Sequence, residues 1–123
     1  MIKYLPTILV YTLVFILSVI NTGVLPKTNM PSADKIVHII MYFSIAGTLM
    51  LNQTSYFRNQ ITKTQLCFAF LFSVSFGILT EIIQYFLPWR SGSVYDFFAN
   101  TLGVVIAIII ILIITRYYNP KYE

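Results

Sequence analysis

The chain has 123 residues, of which 58% are hydrophobic, 16% aromatic and only 10% charged. A soluble domain of this length needs a polar shell that these proportions do not supply, so composition excludes a water-soluble globular protein and points to an integral membrane protein. The net charge of +4 does not mark a nucleic-acid binder, because the eight basic residues are scattered near the ends of apolar stretches instead of gathering on one face.

Four stretches approach spanning length: Leu5 to Val24, Ile36 to Asn52, Gln65 to Leu87 and Val94 to Thr115. A helix needs about 20 residues to cross the hydrocarbon, so the second stretch is the shortest and least secure. None shows the alternation of barrel strands, and backbone groups in lipid must pair within their own segment. The expected fold is therefore all-α, one four-helix membrane domain over 1–123 with no soluble module. The run after Lys3 has the outline of a signal peptide, but no small-residue cleavage site follows it, so a retained first helix is expected. Pro26 and Asn29 are expected to end that helix, with Ser32 or Asp34 as N-cap of the next. The single cysteine, Cys67, lies within the third stretch and reads as a small packing residue.

With four spans, the N-terminus, the 53–64 loop and the C-terminus share one side. That side carries Lys3, Arg58, Lys63, Arg116 and Lys121, against Lys27, Lys35 and Arg90 opposite. The positive-inside rule then favours both termini in the cytoplasm. In this topology the unusual polar residues fall at one membrane face. Asp34, Lys35 and His38 open the second helix, Glu81 and Gln84 close the third, Arg90 lies in the connecting turn, and Asp96 and Asn100 open the fourth. Glu81 and Asn100 each lie about 9 Å inside a helix end at 1.5 Å per residue. A charged side chain at the bilayer centre costs roughly 2.5 to 3.5 kcal/mol, so such a cluster marks a functional site by default. Gly77, Ala99, Gly103 and Ala107 are expected to bring the third and fourth helices together beneath it.

Joined in order, these residues read D-K-x-x-H-x-x-x-Y at Asp34, Lys35, His38 and Tyr42, then E-x-x-Q at Glu81 and Gln84. P-x-R follows at Pro88 and Arg90, and D-x-x-x-N-x-x-G at Asp96, Asn100 and Gly103. The pattern, spanning 34–107, resembles the VanZ-like family of small bacterial membrane proteins. The resemblance implies a multi-pass protein of the bacterial plasma membrane. The family's founding member is associated with low-level resistance to the glycopeptide teicoplanin, through an undetermined molecular activity, so the resemblance supplies no reaction.

Three readings of the cluster compete. In the first, Asp34, Lys35, His38, Glu81, Gln84, Arg90, Asp96 and Asn100 line an outward-facing pocket for an anionic envelope component: a lipid headgroup, a lipid-linked wall precursor or a peptide carboxylate. Arg90 and Lys35 would hold the anion. In the second, a hydrolase or transferase uses Glu81, His38 and Asp96 as acid or base. In the third, Glu81 pairs with Arg90 or Lys35 only to fix the bundle. Ser91, Ser93 and Thr80 lack any nucleophile-elbow signature, and one histidine excludes a paired-histidine phosphatase. His38, Glu81 and Asp96 fall short of the usual His-rich zinc set, so no metal or cofactor is expected, although carboxylates with substrate phosphates are a known way to hold Mg²⁺. A proton path through the bundle is not expected, since the inner halves of the first, second and fourth helices offer almost no polar continuation. Beyond the binding reading, the partners expected are membrane lipids; the sequence leaves oligomeric state open. Trp89, Tyr85, Tyr95 and Phe86 read as interfacial anchors.

Overall fold

In the computed structural model, described for residues 2–21, 31–55 and 60–118, a 3-10 turn at Ile2–Tyr4 leads into four α-helices. These are α1 (Leu5–Val19), α2 (Pro31–Gln53), α3 (Lys63–Phe86) and α4 (Val94–Tyr118). The fold is all-α as expected, and α2, α3 and α4 are long and apolar enough to cross a membrane. The expected lengths of the first two helices are reversed. α1 has 15 residues and stops five short of Val24, whereas α2 has 23. At 1.5 Å per residue α1 spans about 22 Å, less than the roughly 30 Å hydrocarbon core.

Helix ends explain the difference. Ile20 turns out to extended backbone (ψ 145°). The carbonyls of Leu17, Ser18 and Val19, left without intrahelical partners, accept hydrogen bonds from the α3–α4 region, as described below. α1 therefore ends where another part of the chain caps it, and Pro26 and Asn29 lie outside the described residues. α2 begins at Pro31, whose fixed φ suits a first helical position. Ser32 and Asp34 consequently lie inside its first turn and do not precede it. α3 starts with a capping box: the Thr62 side chain accepts from the Gln65 N–H at 3.2 Å, and Gln65 Oε1 accepts from the Thr62 N–H at 2.9 Å.

Contacts fix an up-down-up-down bundle. The C-terminal ends of α1 and α3 meet the N-terminal ends of α2 and α4 at one end, through Ser18 with Gln84 and His38 with Asn100. At the other end Lys3 donates to Ser55 Oγ (3.2 Å), Thr7 to the Thr48 carbonyl (3.3 Å) and Asn52 to Thr7. α2 and α4 run parallel and make the most extensive contact, and α2 is the helix most enclosed by the others. Their seam is the core: Tyr42, Ile45, Ala46, Val104 and Ala107, continued by Leu49, Met50 and Ile111.

Gly103 belongs to this seam, which corrects the expected α3–α4 pairing. A Cβ there would strike the Ile39 carbonyl oxygen and lie 2.9 Å from the Phe43 nitrogen, both on the α2 backbone. Gly77 faces Tyr42 and Asn100, so it too serves a junction that includes α2. Large apolar side chains such as Leu13, Ile40, Phe72 and Ile113 stand exposed around the bundle, as lipid-facing surface should. Cys67 is exposed among them, so it is not the packing residue expected. Polar continuation is richer than expected. Below the cluster Tyr42 bonds Thr80 at 2.5 Å, Tyr11 bonds Ser73 at 3.3 Å, and Asn52 and Thr7 are buried near the far end. These groups are satisfied chiefly as facing pairs, the usual solution for polar side chains between membrane helices.

Candidate functional site

The site is built on Glu81, near the end of α3. Its Oε1 accepts from Asn100 Nδ2 at 3.0 Å, and its Oε2 accepts from the backbone N–H of Ser93 at 3.2 Å. One carboxylate thus ties α3 to α4 and to the turn before it. Ser93 Oγ in turn accepts from the Tyr95 N–H (3.2 Å), which closes the first turn of α4. The turn can approach this closely because residue 92 is glycine: a Cβ there would lie 2.7 Å from the Glu81 carbonyl oxygen and 3.2 Å from the Tyr85 nitrogen.

Asn100 carries the linkage onward. Its Oδ1 lies 2.8 Å from His38 Nδ1, and both residues are buried. Because the Glu81 carboxylate only accepts, it fixes the Asn100 amide with Nδ2 toward itself and Oδ1 toward the imidazole, so His38 Nδ1 carries a proton. Glu81 Oε1 is also 3.8 Å from His38 Nδ1. The opposite ring nitrogen, Nε2, points toward Asp34 Oδ2 at 3.9 Å. Asp34, His38 and Asp96 each offer a ligand atom, and these lie within 4.8 Å of one another. Asp34 is exposed, while His38 and Asp96 are buried, in the second turn of α2 and the first turn of α4.

The structure therefore gathers Asp34, His38, Glu81, Asp96 and Asn100. It directs Gln84, Arg90 and Lys35 elsewhere. Gln84 Nε2 donates to the Ser18 carbonyl at 2.9 Å; Arg90 Nε and Nη2 donate to the Ser18 and Leu17 carbonyls at 3.1 and 3.0 Å; Trp89 Nε1 donates to the Val19 carbonyl at 3.0 Å. A cation at a helix C-terminus meets the negative end of the dipole, so Arg90 is well placed as a cap. Lys35 extends over the Tyr95 ring, 6.0 Å from its centroid. Glu81 faces His38 and Asn100, not Arg90 or Lys35 as the ion-pair reading expected. Gly92 and the Ser93 N–H escaped the sequence reading. The Ser-Gly-Ser run at 91–93 was their signal, a small-residue turn where backbone approaches backbone.

Beside Glu81 an open groove of about 630 Å³ runs between the ends of α3 and α4. Ile78, Ile82, Phe86, Val94 and Phe97 wall it, and Glu81, Gly92 and Ser93 form its polar end. Glu81 belongs to both this groove and the polar cluster.

A small helical membrane bundle with a carboxylate–carboxamide–imidazole relay at one end, its carboxamide and imidazole buried, is the class of protein these features define. The chain belongs to the VanZ/LLP1 family, whose model matches residues 3–115. No curated protein and no solved structure matches it.

Proposed function

We propose that this multi-pass membrane protein binds an amphiphilic component of the bacterial cell envelope, with the apolar portion in the α3–α4 groove and an anionic head at the polar end. The carrying observation is the continuity of the two. An open groove of about 630 Å³, within the size range of small-molecule sites, is walled by apolar side chains and includes Glu81, the hub of the relay. An acyl or prenyl chain can enter such a slot sideways without leaving an apolar medium. Lys35 and the N-terminal ends of α2 and α4 supply positive potential at the same end. The pocket faces outward in this proposal, with both termini cytoplasmic. Among the described residues Lys3, Lys63 and Arg116 lie at the far end and Lys35 and Arg90 at the site end. The envelope setting follows from the family's founding member and its link to teicoplanin. Binding is the proposal, and turnover is not part of it.

The test is lipid analysis by native mass spectrometry of the gently purified protein beside Ile82→Trp, which fills the groove from its lipid-facing wall, and Lys35→Glu. A class of anionic amphiphile enriched on the wild type and depleted on both variants is expected. The same bulk-lipid profile on all three would overturn the proposal.

A further inference from the structure

Asp34, His38 and Asp96 come from two helices that run parallel, and each sits in or one turn beyond a helical N-terminus. Their ligand atoms lie within 4.8 Å of one another. Donors bonded to one ion at about 2.0 to 2.2 Å are roughly 3 to 4.4 Å apart, so the set is close to the spacing that one ion requires.

The second observation is the state of the imidazole. The Glu81–Asn100 relay places a proton on His38 Nδ1 and leaves Nε2 on the side of Asp34, whose Oδ2 lies 3.9 Å away. A lone pair facing a carboxylate is repulsive in the absence of a cation. Nε2 to Asp34 Oδ2, at 3.9 Å, is also too long for the charge-assisted hydrogen bond that an imidazolium would make at about 2.7 to 2.9 Å. Ligating histidines ordinarily donate their other ring N–H to a carboxylate, carbonyl or water, which fixes tautomer and ring orientation. Here the carboxamide of Asn100, itself held by Glu81, plays that part.

The third observation is Asp96. It is only 6% exposed and its carboxylate accepts no hydrogen bond among the described residues. A helix N-terminus offsets a carboxylate by only about 0.3 to 1 kcal/mol, so a bound cation would stabilise it further. Lys35, the next residue after Asp34 on α2, extends over the Tyr95 ring, 6.0 Å from its centroid.

We infer that Asp34 Oδ, His38 Nε2 and an Asp96 carboxylate oxygen form a binding site for a divalent cation of the manganese or zinc type. One imidazole with two carboxylates is a mixed nitrogen–oxygen set. It is short of the six to eight oxygens that Ca²⁺ takes, and its nitrogen suits a transition ion better than Mg²⁺. Exposed Asp34 gives the access route, and the remaining coordination positions open outward, where an anionic head could complete them.

Mn²⁺ is the probe. Full-length protein in a neutral detergent, without added lipid, is titrated with Mn²⁺ while the electron paramagnetic resonance of the free ion is followed. Saturable uptake of a single equivalent is expected. Asp34→Asn, a change at an exposed position that leaves the bundle intact, weakens it tenfold or more, and Asp96→Asn abolishes it. Asn100→Ala, which removes the partner that orients His38, weakens it about 10- to 100-fold. Cys67→Ser, at an exposed position away from the site, does not weaken it. Uptake no greater than the detergent blank, as an imidazolium between carboxylates would give, overturns the inference; so does equal uptake by wild type and Asp34→Asn. Because no lipid is present, failure here is distinct from failure of the amphiphile proposal.

Discussion

Replacing Gly103 with alanine adds one methyl group where α4 crosses α2. That methyl would overlap the Ile39 carbonyl oxygen and sit 2.9 Å from the Phe43 nitrogen. Both are helix backbone, so neither can step aside as a side chain would. Carbon needs roughly 3.5 Å or more from such atoms, so α4 must withdraw by about 1 Å or tilt. Asn100 lies one turn toward the site, and its bond to His38 is 2.8 Å long. Opened by that amount it passes the limit of about 3.2 Å for a nitrogen–oxygen hydrogen bond, so the packing defect also breaks the relay. Overpacking of this kind costs about 1 to 3 kcal/mol.

Gly47 is the internal control. It lies in α2 with nothing within 4 Å of an added Cβ, so Gly47→Ala should be neutral or gain about 0.5 to 1 kcal/mol of helix propensity. Gly77 stands between, its Cβ meeting the Tyr42 ring at 3.2 Å and Asn100 Cβ at 3.6 Å. Thermal unfolding in detergent should rank the alanine variants Gly47 above Gly77 above Gly103. A Gly103→Ala protein as stable as wild type would refute the reasoning.

Arg90→Ala removes two charge-assisted hydrogen bonds to the end of α1, worth about 1.5 to 3 kcal/mol each at most, and should speed amide hydrogen exchange in the last turn of α1; Arg90→Lys should restore part of the protection. Unaltered exchange in Arg90→Ala would show that the cap contributes nothing. As His38 is the single histidine, its ring is directly readable by nitrogen-15 NMR. Its neutral form should be the Nδ1–H tautomer in the wild type, and Asn100→Ala should lose that preference. Glu81→Gln keeps one acceptor but presents an amide to either Asn100 Nδ2 or the Ser93 N–H, so one donor loses its partner and stability should fall by about 1 to 3 kcal/mol in chemical denaturation. Cys67→Ser, on the exposed face of α3, should shift stability by no more than about 0.5 kcal/mol.

Composition and hydropathy by themselves determined the class: a 123-residue chain this apolar has to sit in lipid, and only helices satisfy its backbone there. Three of the four helices follow from apolar length, and the gathering of Asp34, His38, Glu81, Asp96 and Asn100 follows from alternating helix direction, because residues near the ends of successive antiparallel helices must share a face. Partner choice was beyond the sequence. Periodicity says which side of a helix is small or polar, but not which neighbour that side meets, so Gly103 is read as an α3 contact until the parallel α2–α4 seam is seen. Arg90 shows the same limit: a guanidinium near a polar cluster reads as an anion clamp, yet the end of α1, distant in sequence, offers it free carbonyls. The end of α1 itself was legible only in three dimensions, since the groups that cap it lie some seventy residues away. Local chemistry sets what each residue can bond. Only the packing of the helices decides with whom.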